Sequence, residues 1–297
     1  MKDKYKFCIS IPIHEQPEVV IDQIKNFQYF YNNEVAIVLH VSPDFKFDDN
    51  YSNSNCFLNK GVYVNGESLP VVWGTLMHVH NSNFKFASKN IDFQYFIIHS
   101  SNDMYVRHGV KDYIEQNKNG VFQANKPTGV NYLINHDTRD WSNDLYLDKE
   151  FINLMEYLEL KQVYVTQCEG SFFEKKVFSS MVRVIDKFYV YARERIYPRE
   201  EYWYSTIVKK FIKRKKIGKP FLLSEIWRKD GIVINEKMII RLHNKEKIDD
   251  ELNIEYPYDY DNLYAVKRVP REINHPLRIL IREIIQNEQL LVEKKTH

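Results

Sequence analysis

The sequence is poor in the residues that divide or cross-link chains. It has 9 glycines, 10 prolines and 3 cysteines among 297 residues. So few glycines and prolines leave no low-complexity linker along it. Cys8, Cys56 and Cys168 are odd in number, far apart and without a CxxC pair. That argues against a disulfide scaffold or a structural zinc site, and it fits a reducing compartment. No uncharged apolar run approaches the roughly 20 residues that a membrane span needs. The amino-terminal MKDKYKFCISIPI begins a strand at once, with no long apolar stretch and no small-residue cleavage site, so no signal peptide is expected. One-sided charge is missing too: 42 Lys and Arg against 40 Asp and Glu leave +2, and nothing global calls for nucleic acid. GxGxxG, GxxxxGK-Ser/Thr and GxSxG are all absent, which sets aside dinucleotide, P-loop and serine-hydrolase readings on their own motifs.

What is present is apolar and aromatic. The fractions are 44% and 14%, ample for a sizeable core. The stretch Phe93–Asp103, FQYFIIHSSND, reads as a central strand buried on both faces and stopped by Ser100-Ser101-Asn102-Asp103. Ligands in open α/β sheets gather beyond the carboxyl ends of such strands, which puts Asp103 at the floor of a ligand site. The same four residues also spell an ordinary turn with a helix cap, the commoner meaning when taken alone.

In chain order, Lys6–Ile13 is a strand, His14–Pro17 a turn, Glu18–Tyr31 a helix and Glu34–Val41 a second strand ending at Ser42-Pro43-Asp44. This βαβ unit predicts parallel strands with a right-handed crossover. Then come a polar loop at Asp48–Leu58, a short strand at Gly61–Val64 and a helix at Trp73–Ala87. Beyond the central strand lie a short helix at Gly109–Gln116, an irregular Val121–Trp141, a helical Lys149–Leu158 and a short strand at Val163–Thr166. Gly170–Phe173 feeds a helix at Lys175–Tyr189. Lys237–Leu242 reads as a last strand, Glu255–Asp261 as a Tyr- and Asp-rich loop, and Pro276–Val292 as an amphipathic helix. The pattern predicts an α/β fold with a mainly parallel sheet, one continuous domain over 1–297. Its nucleotide-binding half is about 1–120 and its acceptor half about 121–297.

Several residues could carry chemistry. Glu200 and Glu201 stand in YPREEYWYS among large aromatics; a carboxylate so walled is desolvated and suits a general base, while aromatic faces suit sugars. The alternative is a helix start, where Pro and Glu are favoured anyway. Lys267 and Arg268, with Arg241, could neutralise a diphosphate in place of a metal, although single solvated cations are the rule. His78 and His80 would diverge on a helix and lack a third metal ligand, so ordinary polar positions are the better account. Asp259 and Asp261 spell DxD, which could hold a divalent ion, but far from the sheet ends an acidic loop is the better account. Asp48-Asp49 is weaker still. The basic run Lys209–Lys219 could lie on anionic lipid or on nucleic acid; a solvated helix face is commoner than both.

Six of these pieces, in order, resemble the core-2/I-branching β-1,6-N-acetylglucosaminyltransferases and the related peptide xylosyltransferases, glycosyltransferase family 14. IPIHEQPEV is similar to the family's first strand and its His-containing turn, which points to His14. HVSPD resembles its HVD strand end, with Ser42 for Asp. FIIHSSNDMYVR resembles the strand with Asp-x-Pro; Asp103 is kept and Tyr105 replaces Pro. CEGSFFEKKVF is similar to the Gly-Ser-x-Trp segment, with Phe173 for Trp, and draws in Glu169, Gly170 and Ser171. YPREEYWYST resembles the segment of the catalytic base, which implies that role for Glu200 with Tyr202 and Trp203 beside it. LYAVKRV is similar to the segment whose Lys binds the diphosphate, which implies Lys267, with Arg268 next to it and Arg241 upstream as a second cation.

The resemblance implies a GT-A-type fold and an inverting, metal-independent transfer of GlcNAc or a xylose-like sugar from a UDP-sugar to a glycan or lipid-linked acceptor. Surface polysaccharide or glycoconjugate synthesis is the expected setting. A cytoplasmic enzyme is expected, touching the membrane at most peripherally through Lys209–Lys219, with no cofactor, metal or nucleic acid. Asp103 and Glu169 would meet donor or acceptor hydroxyls. Two other readings stay open: a sugar-phosphate transferase of capsule synthesis, and a carbohydrate-binding protein of the same fold that lost turnover.

Overall fold

A computed structural model of the chain describes residues 2–14, 16–43, 60–71, 74, 76–121, 145, 147–166, 168–190, 197–212, 217–223, 234–246 and 260–296. The strands are β1 (Asp3–Lys4), β2 (Phe7–Ile13), β3 (Val35–Val41), β4 (Val62–Asn65), β5 (Ile91–Asp92), β6 (Tyr95–Ile98), β7 (Met104–Tyr105), β8 (Phe172–Glu174), β9 (Leu222–Leu223) and β10 (Ala265–Val266). The helices are α1 (Pro17–Phe30), α2 (Leu76–Asn90), α3 (Val110–Asn117), α4 (Lys149–Tyr157), α5 (Lys175–Phe188), α6 (Arg199–Phe211), α7 (Glu236–His243) and α8 (Pro276–Thr296).

The main sheet has five strands in the order β4-β3-β2-β6-β8. The first four are parallel, and β8 runs antiparallel to β6. The expected α/β class with a mainly parallel sheet is what forms. Every residue of β2 is buried, because successive side chains leave opposite faces and both faces are covered. Phe7, Ile9, Ile11 and Ile13 pack into one cluster with Ile24, Phe27 and Phe30 of α1. Cys8, on the other face, joins Met77 and Phe84 of α2 and Phe178 of α5. β2 takes the middle place; the FQYFIIH strand lies beside it.

The α2 face carries a polar seam. Ser10 Oγ lies 2.8 Å from His80 Nδ1 and accepts from Asn83 Nδ2 at 2.9 Å. Asn65 Nδ2 donates to Ser82 Oγ at 2.7 Å and to Asn83 Oδ1 at 3.0 Å. His78 and His80 are therefore interior groups, not surface ones, and burial pulls them down to about 4 and about 3 respectively.

β7, β10 and β9 form a second small sheet just past the carboxyl end of β6. Met104, Val266, Met238, Ile239, Leu242, Leu277 and Ile281 make its core under α7 and α8. Arg278 of α8, fully buried, donates to Asp22 of α1 at 2.9 Å and to the Pro270 carbonyl at 2.5 Å. It pins the chain after β10 across the ends of the main sheet.

Two sequence expectations are corrected here. Lys237–Leu242 is helical, not a strand. The Asn235 side chain caps it by accepting from Met238 N at 3.0 Å, and Met238, Ile239 and Leu242 share the spacing of one helix face. Val163–Thr166 forms no named strand; it lies along α6, where Thr206 Oγ1 accepts from Tyr164 N at 2.9 Å. Asp44, Asp48–Leu58, Trp73, Lys213–Lys216, Asp259 and most of Val121–Trp141 and Glu255–Asp261 lie outside the described residues. No helix among the described residues is long and apolar enough to cross a membrane.

Candidate active site

The site is assembled from α6, the turn before β8 and the chain leaving β10. Helix α6 starts at Pro198, and its first turn carries Arg199, Glu200 and Glu201. Arg199 is fully buried. Its guanidinium reaches Asp148 Oδ1 at 2.7 Å and Glu150 at 2.5 Å, and stands 5.0 Å from the Trp203 ring centroid. The Tyr197 hydroxyl also donates to Asp148 and accepts from Trp203 Nε1 at 3.1 Å. Tyr202 and Trp203, expected to face a sugar, are instead core residues at 1% and 0% exposure. They fix the helix and offer no open ring.

Glu200 follows Arg199 in the first turn of α6 and lies in the field of Glu169 and Lys267. It is 4% exposed, and its Oε2 accepts no hydrogen bond among the described residues. Burial pushes its pKa up to about 7; the Glu169 charge adds to the rise, while its own backbone amide and Lys267 oppose it. A carboxylate poised near neutrality, with one oxygen unoccupied, is what a general base requires.

Glu169 comes from a tight turn against the end of β6. Gly170 N donates to Ile98 O at 2.8 Å and Ser171 O accepts from Ile98 N at 3.0 Å. Gly170 is left-handed at φ +78°, and a Cβ there would sit 2.7 Å from the Leu222 Cβ. Gly170→Ala is therefore expected to lose at least about 1–2 kcal/mol from backbone strain alone, and to push Glu169 out of place; denaturant unfolding measures the first. Glu169 Oε1 lies 2.7 Å from Lys267 Nζ. Burial favours the neutral form of each, but their attraction wins. Glu169 sits below its ordinary value and Lys267 above, the latter helped by Asp103. The pair is ionised, and Glu200 lies within the field of both.

The other expected residues are arranged less uniformly. Asp103 is wholly buried and folded back on its own turn: Ser100 Oγ and Ser100 N donate to it at 2.7 and 2.9 Å, and His99 Nδ1 lies at 3.0 Å. It shapes the floor and acts on Lys267 through charge, and does not present its carboxylate to a ligand. His14 stands exposed at the end of β2, where Arg271 Nη2 donates to its Nε2 at 3.2 Å. Arg268 is exposed with a left-handed φ of +59°. Ser42 closes β3, nearly buried, its Oγ 3.5 Å from Val71 N. Arg241 lies in the last turn of α7, partly exposed, on a helix and not the strand expected for it. Asp261 lies in a 3-10 turn whose carbonyl accepts from Arg107.

Sequence reasoning did not foresee the Glu169–Lys267 bond, the Arg199 anchor or Arg271. For Arg271 a signal existed, since KRVPR places three cations around one Pro. For the first two, the partners are remote in sequence. A hollow of about 870 Å³ opens at the amino ends of the strands, between Lys4, Lys6, Glu34, Lys60 and Asp92; its charges are mixed and it is remote from Glu200. No group of three or more potential metal ligands occurs among the described residues.

No family model and no curated protein matches the chain. Among solved structures, it is similar to S. aureus TarS 1-349 at 12% identity over 66% of this chain and 53% of that one, with a TM-score of 0.37. It is similar to the galactosyltransferase LgtC in complex with donor and acceptor sugar analogs at 6% identity, over 94% and 95% of the two chains, TM-score 0.44. For TarS 1-349 in complex with UDP the values are 12%, 63%, 67% and 0.32. The chain spans about half the length of TarS 1-349 in the first of these. Likeness of this degree says nothing of the site's chemistry, which rests on the geometry above.

Proposed function

We propose that the chain is an inverting GT-A-type glycosyltransferase that moves a sugar, GlcNAc or xylose-like, from a UDP-sugar to a glycan or lipid-linked hydroxyl in surface polysaccharide or glycoconjugate synthesis. One observation carries the reading. A buried carboxylate with its pKa near 7 and an oxygen that no described residue occupies, Glu200, lies within the electrostatic field of an ionised Lys267.

In this reading Glu200 takes the proton of the acceptor hydroxyl as its oxygen attacks the anomeric carbon. The bond from that carbon to the diphosphate breaks on the opposite side, so configuration inverts. Lys267 stabilises the charge that develops on the leaving UDP, a preorganised electrostatic role. Arg268 and Arg271 extend the positive rim, so cationic side chains do the work of a metal. The basic segment Lys209–Lys219 is proposed as a peripheral contact with anionic lipid on the cytoplasmic side.

The test is UDP release from a panel of UDP-sugars with glycan acceptors, run with and without EDTA, and mass spectrometry of the product. A product heavier by one sugar, formed equally in EDTA, is expected. No UDP release with any donor overturns transfer; a retained phosphate points to a sugar-phosphate transferase; complete loss in EDTA overturns metal independence.

A further inference from the structure

Strand pairing sets what stands opposite the lysine that should meet the diphosphate. β10 runs antiparallel to β7, with Ala265 opposite Tyr105 and Val266 opposite Met104. The next step of the same register puts Lys267 opposite Asp103. Backbone bonds flank that step, from Val106 N to Tyr264 O at 2.9 Å and from Val269 N to Asn102 O at 3.0 Å. Side chains two apart on a strand leave by one face, so Lys267 goes with Ala265, and Asp103 with Tyr105. Ala265 and Tyr105 pack in one cluster, and opposed side chains on one face interact. Burial would strip the proton from Lys267; the charges of Glu169 and then Asp103 keep it there, above its ordinary value.

Asp103 is in turn held from the core. His99, Asp103, Tyr105 and Tyr31 are all fully buried. His99 Nδ1 lies 3.0 Å from Asp103 Oδ2, its Nε2 lies 2.8 Å from the Tyr105 hydroxyl, and that hydroxyl lies 2.9 Å from the Tyr31 hydroxyl. For a neutral ring beside a carboxylate, the protons fit one way. Nδ1–H donates to Asp103, Tyr105 donates to Nε2, and Tyr31 donates to Tyr105. The other tautomer would set two buried lone pairs against each other, which is costly. The Ser100 amide and hydroxyl also donate to Asp103, but they belong to its own turn and would move with it. His99, whose amide is bonded to Ser10 O of β2 at 3.1 Å, ties the carboxylate to the main sheet.

On the sugar-transfer reading, we infer that His99 is a positioning residue: it holds the Asp103 carboxylate opposite Lys267, and so limits how tightly that lysine grips the diphosphate. A fixed carboxylate keeps the ammonium charged and offsets its pull on a further anion. With less counter-charge beside it, a buried ammonium would hold the product UDP longer. His99 acts through Asp103, and the two tyrosines behind it fix its tautomer.

Calorimetric titration of UDP into the wild type, His99→Phe and His99→Asn tests this. Phenylalanine keeps a ring and removes the donor. The asparagine amide reaches the place of Nδ1 and restores it. His99→Phe should bind UDP more tightly, by about fivefold or more for a coupling of the usual size, and His99→Asn should stay near the wild type. A merely structural role would weaken both variants alike. UDP binding that is unchanged or weaker in His99→Phe, or a change of the same size in His99→Asn, overturns the inference and leaves sugar transfer standing. No UDP binding by any of the three proteins overturns both. Should the variants fail to fold, nitrogen-15 spectra of the wild-type imidazole decide. The Nδ1–H tautomer is expected, with an Nδ1 signal that moves when UDP is added; the other tautomer, or a signal that stays put while UDP binds, overturns the inference.

Discussion

Glu200→Gln is expected to lower turnover by about 10²–10⁴-fold, the usual contribution of a positioned general base, and yet to make the protein more stable at alkaline pH. Both effects have one cause. In the unfolded chain the Glu200 carboxyl titrates near 4.5, and in the folded protein burial raises it to about 7. A group whose pKa rises on folding contributes stability that is complete below its unfolded value and is lost as pH climbs through the folded one. At pH 8 the native state therefore holds a buried carboxylate that would be more comfortable in water, at a cost of about 3 kcal/mol. Glutamine has the same shape and no charge, so it escapes that cost. Melting temperatures at pH 5 and pH 8 check the prediction: the variant should gain over the wild type at pH 8 and show little difference at pH 5. In the wild type the rate should rise with pH through a limb near 7, and the variant should lack that limb. Undiminished turnover would remove Glu200 as the base. A loss of stability at pH 8 would mean that the carboxylate has a cationic partner stronger than its burial.

The parts of this design that could be read from the chain are those dictated by local pattern. The continuous apolar runs of FCISIPI, VAIVLHV and YFII have no exposed face to offer, so they had to be covered on both sides, and the sheet follows. The boundaries of α1, α3, α4 and α5 agree with the periodicity to within a residue or so. KMIIRL misled because a short apolar run fits a strand or a buried helix equally; the Asn235 cap was the available cue. The aromatics of YPREEYWYS were legible as aromatics but not as to direction. Residues three places apart share a helix face, so Glu200 and Trp203 are both buried, and the aromatics surround the carboxylate as packed core and not as open rings. Least legible were the pairings that give the site its electrostatics. Nothing local to CEGSFF announces that its glutamate meets the lysine of YAVKRV, because the turn at Ile98 and the crossing of β10 bring them together only in the folded chain.

The second large effect is expected at a residue that touches no substrate. Arg199 is fully buried, held between Asp148 and Glu150 and against the rings of Trp203 and Tyr189. Arg199→Met should lose about 3–5 kcal/mol, because breaking a buried pair leaves an uncompensated carboxylate inside. Asp148 has more than one duty, which sharpens the expectation. It also caps α4 by accepting from Phe151 N at 3.2 Å and accepts from the Tyr197 hydroxyl. Removing the arginine therefore loosens the start of both α4 and α6. Glu200 is the next residue in α6, so its carboxylate should lose its fixed direction. The expected kinetic signature is a fall in kcat with KM for the donor little changed, together with a shift of the pH limb toward ordinary carboxylate values as water reaches Glu200. A merely destabilised enzyme would keep kcat per folded molecule and the same limb. Arg199→Lys should rescue only in part, since a single ammonium cannot serve two carboxylates with the planar fork of a guanidinium. If Arg199→Met kept both the limb and kcat after correction for the folded fraction, the anchor would be structural alone, and the raised proton affinity of Glu200 would have to come from packing on its other side, where Glu169 and Lys267 stand.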